Sequence, residues 1–317
     1  MWSRLVFILA ASLLFTGCAT TVKLQVQKAP AIPLPGVKAV KVEPFKVDGN
    51  LSLDLGTSNK GLLGAVATIA ADAAVNKLTE GRKSEIQQEH YNGLRNAVFM
   101  NGTFQIEEKG EAVIAGSLVY NVNDEMAGVE NKDKDGNVTK TYKLTRSATV
   151  KIDLHVTDKN GKLLGTSTLE QVQKATSETS SKRESRSSIA SWESLVKKAV
   201  NNSHGQIVRK IAPYYVTETR VLAKSDLDIV KQGNEAADDN NWDLAVKHWN
   251  EAMKVGNNND KAAALHNLSV NDEKDGNLKD ALAKAQEASQ LNPEDKYFSR
   301  VNLIQNRIKE EETLSSL

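Results

Sequence analysis

Cysteine is the rarest residue in this chain of 317 residues, since Cys18 is the only one. A chain with one cysteine cannot close an internal disulfide, and it cannot hold a zinc ion with several thiolates. Catalytic signatures are missing too: the sequence has no HExxH, CxxC, GxSxG, P-loop or glycine-rich dinucleotide motif. We therefore predict that the protein is not an enzyme and that it has no catalytic residues and no cofactor.

Ligands for a metal ion are also scarce in the sequence. Its five histidines are scattered over different predicted elements, at positions 90, 155, 204, 248 and 266. Residues 131–136, NKDKDG, copy the first half of a calcium-binding loop, but the twelfth position is Tyr142 instead of the usual glutamate. A turn between two strands explains the Asp-Gly pair as well, and we predict no metal site.

Neither sign of charge is in excess, because 41 basic residues accompany 40 acidic ones. Proteins that bind nucleic acid usually carry a basic excess or a basic stripe, so we expect no nucleic-acid partner. Long apolar runs are missing as well. The run at residues 5–15 has no charge but is far shorter than the ~20 residues of a membrane-spanning helix. Membrane attachment would therefore need a covalent lipid.

A short leader precedes the single cysteine. It has a basic start, an apolar run and two small residues, which is the order of a secretory signal peptide. Phe15-Thr16-Gly17-Cys18 resembles the lipobox of bacterial lipoproteins. The resemblance implies that residues 1–17 are a signal peptide and that Cys18 carries covalent lipid such as palmitate. It also implies that Ala19 directs the protein to the outer membrane, facing the periplasm.

Proline is concentrated near the start of the predicted mature chain. Three of the six prolines lie in APAIPLPG at 29–36. Prolines at this spacing favour an extended backbone. We therefore predict that residues 18–36 form a lipidated tether between the membrane and the folded part of the protein.

Residues 37–215 carry the signals of an α+β domain. Strands are predicted in VKAVKVEPF, FQIEE and EAVIAGSLVY, and helices at 61–78 and 84–98. In ATVKIDLHV, at 148–156, apolar and polar residues alternate strictly, which is typical of a strand with one buried face. Asn160-Gly161 then predicts a hairpin. The serine-rich residues 177–188 are expected to form a mobile loop, and an amphipathic helix follows until Pro213.

This order of strand, two helices, two strands, a hairpin and a closing helix resembles a known family. It is similar to the periplasmic domain of curli-secretion-type and penicillin-binding-protein-activator lipoproteins. The resemblance covers residues 37–215 and rests on VKVEPF, EAVIAGSLVY and VKIDLHVTDKNGKLLGTS. It implies an antiparallel or mixed sheet covered by helices on one face.

The last third of the chain contains a repeat. In residues 226–258 small and aromatic residues have the spacing of a tetratricopeptide repeat: Gly233, Trp242, Ala245, Trp249 and Ala252. A second unit follows, in which Ala281 takes the place of Ala245. We predict that residues 222–317 form an all-α module of tetratricopeptide type, closed by a capping helix at 297–311.

The inner helices of this module supply the candidate partner-binding residues. Seven of them are predicted to face a groove: Val230, Asn234, Ala237, His266, Asn267, Val270 and Glu273. Asn234 and Asn267 coincide with the asparagines of the carboxylate-clamp subclass, which grips the C-terminus of a peptide. Val230 stands where that subclass has a lysine. Backbone capping and packing are the simpler explanation of the two asparagines, and both alternatives remain open.

Together these features predict a non-enzymatic, lipid-anchored adaptor that binds a protein partner and supports assembly or regulation of a cell-envelope complex. One alternative is a secretion-pore subunit, because curli-type lipoproteins oligomerise into rings and insert hairpins into the outer membrane. The candidate hairpin here, at 121–142, is too charged to suit lipid. The other alternative is a cell-wall hydrolase, which would need a pair of catalytic carboxylates.

Overall fold

The computed structural model describes residues 19–54, 62–132, 134 and 136–317, without the side chains of residues 62–80 and 131. Cys18 and the predicted signal peptide lie outside the described residues, so lipidation stays a prediction. The chain divides into two compact units. The sheet unit contains Lys28–Tyr214 and Thr313–Leu317, and the helical unit contains residues 19–27 and Tyr215–Glu312.

Eight strands and eight helices follow one another along the described residues. The strands are β1 (Thr21–Lys28), β2 (Ala39–Val42), β3 (Lys46–Ser52), β4 (Gln105–Ile106), β5 (Ala112–Lys132), β6 (Val138–Asp158), β7 (Leu163–Thr179) and β8 (Tyr214–Val221). The helices are α1 (Leu62–Asn101), α2 (Lys182–Ser188), α3 (Trp192–Ile211), α4 (Asp228–Asp238), α5 (Trp242–Val255), α6 (Asn258–Lys274), α7 (Leu278–Leu291) and α8 (Asp295–Ser315).

The sheet unit is built on a six-stranded mixed sheet in the order β4-β2-β5-β6-β7, with β3 also paired to β5. Strands β2 and β3 run parallel to β5, whereas β5, β6 and β7 form an antiparallel meander. The alternation in β6 decides which face is buried: Val150 and Ile152 lie in the core, while Lys151 and His155 are exposed. Residues of α1 and α3 join the same core. The predicted α+β fold class is confirmed.

Two helices predicted at 61–78 and 84–98 are one continuous helix, α1. The residues between them include Gly81, which lies exposed with open space around the position of a side chain. A single glycine costs a helix only ~1 kcal/mol relative to alanine. It therefore weakens α1 without ending it.

The serine-rich segment 177–188, predicted to be a mobile loop, is ordered secondary structure. It completes β7 and then forms α2, whose first turn is capped by Ser181 accepting the backbone N–H of Glu184 at 3.2 Å. The buried Ser185 hydroxyl donates to the carbonyl of Tyr142 at 2.6 Å. Arg186 pairs with Asp54 at 2.9 Å. The polar side chains hold the segment against its neighbours, which composition alone does not indicate.

The predicted tether at 18–36 is also wrong for most of its length. Residues Thr21–Lys28 form β1, where apolar residues alternate with polar ones and point into the core of the helical unit. Ile32 and Leu34 are buried in the core of the sheet unit, and the N–H of Ile32 donates to the carbonyl of Lys210 at 2.7 Å. The proline-containing residues 29–36 thus include side chains packed within the sheet unit.

The helical unit combines the β1–β8 pair with five consecutive helices, α4 to α8. Small residues at the predicted positions are buried and allow close helix contacts: Ala245, Ala252 and Ala281. Gly233 has no room for a side chain, because a Cβ there would lie 2.4 Å from Nε1 of the buried Trp249. No helix in the described ranges is both long and apolar enough to cross a membrane.

Candidate functional site

All seven predicted partner-binding residues lie together on one side of α4 and α6, which we call the inner face. Val230, Asn234 and Ala237 belong to α4, and His266, Asn267, Val270 and Glu273 belong to α6. Every one of them is buried. The expectation of an open groove is wrong for Asn234, His266, Asn267 and Glu273, because a segment of the same chain already binds these four.

The covering segment is Arg220–Ala223, called here the groove segment, which ends β8 and leads towards α4. Asn267 holds the backbone of Ala223 at both polar groups: its Oδ1 accepts the N–H at 2.7 Å and its Nδ2 donates to the carbonyl at 3.0 Å. Nδ2 of Asn234 donates to the same carbonyl at 3.0 Å. Both asparagines therefore bind an extended peptide backbone, and that backbone is intramolecular.

The orientation of the two amides is fixed by a third side chain. Nε1 of Trp249 donates to Oδ1 of Asn234 at 3.0 Å, and the same oxygen accepts Nδ2 of Asn267 at 2.7 Å. The indole can only donate, so Oδ1 of Asn234 must face it and Nδ2 must face Ala223. A buried polar network of this kind is stable only when its members are paired.

His266 contacts the next position of the groove segment. Its Nε2 lies 3.1 Å from the carbonyl of Val221. Burial lowers the pKa of His266 to about 4, and the cations Arg300 and Lys296 act in the same direction. The ring is therefore neutral at neutral pH, with the proton on Nε2, where it donates to Val221. Among the described groups, its Nδ1 has no hydrogen-bond partner.

Buried charges fix the start of the groove segment. Glu273 accepts Nε and Nη2 of Arg220 at 2.9 and 2.6 Å, and Nη1 of Arg300 on α8 at 2.6 Å. Burial alone would raise the pKa of the Glu273 carboxyl, but the two guanidinium groups outweigh it, so the pKa is lowered. The carboxylate thus stays ionised and links β8, α6 and α8.

Two cavities of the helical unit lie beside the groove segment. One, of about 590 Å³, is bordered by Val221 and Leu222 of the segment, by Val270 of α6 and by Leu303 of α8. The other, of about 580 Å³, has a polar lining that includes Lys231, Asn257 and Glu294. Ligand cavities commonly measure roughly 300–1,000 Å³ and are mostly apolar. The first cavity is thus the better candidate for an apolar side chain.

Sequence reasoning identified the inner-face residues but not the groove segment that they bind. Ala223 is bound through its backbone, which leaves no trace in its side chain. Strand β1 was missed as well, because its partner lies far along the chain: the amide of Gln25 donates to Thr217, 192 positions away, at 3.0 Å. The apolar alternation of Val22, Leu24 and Val26 was the available signal.

Two of the scattered histidines meet in the sheet unit. Nδ1 of His90 on α1 lies 3.1 Å from Nε2 of His204 on α3. Burial lowers the pKa of His90 to about 3, and it lowers the pKa of His204 as well. Both rings are therefore neutral near pH 7. No cluster of three or more possible metal ligands occurs among the described residues.

A cavity of the sheet unit, of about 1010 Å³, bears on the hydrolase alternative. Its lining contains Lys38, Arg95 and one acidic side chain, Glu107. Glycoside hydrolysis generally needs two carboxyl groups on opposite sides of the bond. The described lining of this cavity does not provide such a pair.

Comparisons with known proteins are distant. A family model described as a domain of unknown function, DUF6340, matches residues 231–312. No curated protein matches the chain. A putative neuraminyllactose-binding hemagglutinin homologue from Helicobacter pylori has a similar structure at 9% identity, covering 57% of this chain and 86% of that one, with a TM-score of 0.29. A minor lipoprotein from Acinetobacter baumannii matches at 12% identity over 52% and 90% of the chains, with a TM-score of 0.16. These values are too low to transfer a function.

Proposed function

We propose that this protein is a non-enzymatic adaptor, anchored in the outer membrane by lipid on Cys18 and facing the periplasm, that binds a protein partner with its helical unit. The supporting observation is the apolar cavity beside the groove segment. Because Asn234, Asn267 and His266 are committed to the segment, the partner contacts the unit next to it. The partner contributes an apolar side chain to the cavity between Val221 and Leu303.

The position of the first strand adds to this proposal. Only Ala19 and Thr20 separate Cys18 from β1. Two residues span at most ~7 Å, so lipid on Cys18 holds the helical unit directly at the membrane surface. Ala19 also lines the apolar cavity. A partner in the same membrane therefore meets this cavity at a raised effective concentration.

The partner contact can be tested by photo-crosslinking from the cavity in the lipidated protein. A photoreactive residue at position 221 or 303 should capture the same protein, because both positions border one cavity. Position 255 on α5 is a matched control, since Val255 and Val221 have similar exposed fractions, 59% and 55%. Val221→Glu should abolish capture from position 303. Equal capture from position 255, or no common product from 221 and 303, would refute the adaptor.

The lipid anchor has a separate test. Metabolic labelling with a palmitate analogue should mark the wild type and leave Cys18→Ala unlabelled. The variant should move from the membrane fraction to the soluble fraction. A Cys18→Ala chain that still fractionates with membranes would contradict anchoring by lipid and would leave the partner-binding proposal to stand on its own test.

A further inference from the structure

Strand β7 forms one end of the six-stranded sheet. On one side it pairs with β6 over almost its whole length, from Leu163 to Thr179. On its other side no strand of the described chain pairs with it, and no other backbone–backbone hydrogen bond is formed by residues 163–179. A local bond joins the Gln171 side chain to the carbonyl of Glu170 at 2.9 Å. The result is a 17-residue edge whose backbone groups can pair with another strand.

Natural proteins usually protect such an edge. Common devices are proline, a short strand, a bulge that turns the edge away, or charges pointing inward. Strand β7 is long and contains no proline between Leu163 and Thr179. Its single register irregularity lies at one end, opposite Val156 and Thr157 of β6. The middle of the edge is therefore regular and available.

The exposed face of β7 has a symmetric pattern around one residue. Val172 is 46% exposed, which is high for a valine in the middle of a strand. Glu170 precedes it by two positions and Lys174 follows it by two, and all three lie on the same face because side chains alternate. An acid and a base thus lie at equal distances from an exposed apolar centre.

This pattern is self-complementary in an antiparallel pair. With Val172 opposite Val172 of a second copy, Glu170 lies opposite Lys174 on both sides of the centre. Centring the pair on Glu170 or on Lys174 instead would place like charges opposite each other. Opposite charges stabilise directly facing positions and like charges destabilise them. A register centred on Thr176 would also place Lys174 opposite Glu178, but of these two registers the one centred on Val172 also places an exposed apolar pair at the axis.

We propose that a second copy of this chain pairs with β7, edge to edge and antiparallel, with Val172 at the two-fold axis. The two sheets then form one continuous sheet across the dimer. Because the same edge is used by both copies, the interface closes on itself and does not propagate. Within each copy Glu170 is also registered with Lys151 of β6, so charges alternate across the joined strands.

Charge reversal tests the pairing and its register. In the full chain purified in mild detergent, sedimentation equilibrium should show a dimer for the wild type. Glu170→Lys and Lys174→Glu each place like charges opposite one another twice, and each should weaken dimerisation at least tenfold. The double variant Glu170→Lys/Lys174→Glu restores opposite charges and should restore the dimer. Glu178→Lys faces Thr166 of the other copy and should change little.

Disulfide trapping is an independent test of the same pairing. In a Cys18→Ala background, Val172→Cys should oxidise to a covalent dimer, because residues directly opposite have Cβ atoms ~5 Å apart. Thr166→Cys is the matched control on the same exposed face. In the proposed register, position 166 of one copy is 12 residues from position 166 of the other, about 40 Å at 3.3 Å per residue. The Thr166→Cys variant should therefore form no disulfide-linked dimer.

Three results would overturn the proposal. The first is a wild-type chain that stays monomeric at all concentrations. The second is a double charge variant that behaves like the single variants, since this would exclude the facing pair. The third is equal crosslinking from positions 166 and 172. Each variant should keep the wild-type circular dichroism spectrum, which separates lost pairing from lost folding.

Discussion

At the scale of single residues, the buried histidine pair of the sheet unit makes stability depend on pH. His90 and His204 are both buried and their pKa values are lowered. In the unfolded chain a histidine binds a proton near pH 6.5. The folded state binds this proton only at lower pH, because the pKa is lowered there. Stability is therefore highest above the unfolded pKa and is lost as the pH falls and the unfolded state takes up the proton.

We expect the free energy of unfolding of the sheet unit to fall from pH 7 towards pH 4, because His90 titrates only at about pH 3 in the folded state. Each unit of lowered pKa corresponds to about 1.4 kcal/mol. His90→Asn keeps a polar group near His204 but does not titrate, so urea denaturation should show a shallower loss between pH 7 and pH 5. Identical pH profiles for the variant and the wild type would assign the pH dependence to other groups.

Asn267 allows a second prediction at the residue scale. Its amide satisfies both backbone groups of the buried Ala223. Asn267→Ala leaves the buried N–H of Ala223 unpaired and its carbonyl with Asn234 alone, and it should lower the free energy of unfolding of the helical unit by about 1–3 kcal/mol. Asn271, one turn further along α6, bonds the exposed Asp275, so Asn271→Ala should change it by less than about 0.5 kcal/mol. Chemical denaturation followed by tryptophan fluorescence reports this difference, and equal effects would contradict the role of Asn267.

At the scale of elements, substitutions in β1 show whether residues 21–28 act as a packed strand or as a flexible tether. Leu24 is 2% exposed within the core of the helical unit, whereas its neighbour Lys23 is exposed. Leu24→Ala should therefore destabilise this unit by about 2–5 kcal/mol, as for other large-to-small core changes. Lys23→Ala should be nearly neutral. Neutral behaviour of both variants in thermal unfolding would show that residues 21–28 act as a tether after all.

Local patterns decided which elements could be predicted from the sequence. Strand β6 was identified because its alternation is complete within nine residues, and α3 because its apolar stripe ends at Pro213. Strand β1 has the same alternation, but the prolines after it suggested an extended linker. The inner-face residues were identified from their spacing on α4 and α6. Their contact with Ala223 depends on the path of β8, which no local pattern contains.

At the scale of the whole molecule, most of the sheet unit is encoded between two strands of the helical unit, since Lys28–Tyr214 separates residues 19–27 from Tyr215–Glu312 in the sequence. The N–H of Leu222 donates to the carbonyl of Thr20 at 2.9 Å, and Gln25 contacts Thr217. These contacts indicate that β1 and β8 run antiparallel, which brings residue 27 next to residue 215. The chain leaves the helical unit and returns to it at neighbouring points.

This topology predicts how the helical unit behaves when isolated. A fragment of residues 215–312 lacks β1 and should expose the core around Leu222, giving a less cooperative thermal transition. Fusing residues 19–27 to the fragment through a short Gly-Ser linker should restore cooperativity, because the two ends are adjacent. A fragment that unfolds as cooperatively without β1 as with it would contradict the structural role of the strand. The fused version with Leu24→Ala is the matched control.

The strand β1 also determines how mechanical load would enter the protein. With lipid on Cys18, a pull from a partner bound to the helical unit acts along β1, whose side chains Val22, Leu24 and Val26 are buried. Pulling a strand lengthwise loads its neighbouring contacts together, whereas a flexible linker would first extend without resistance. Under the proposed function, such an anchor would be a stiff attachment that transmits force between the membrane and the partner without slack.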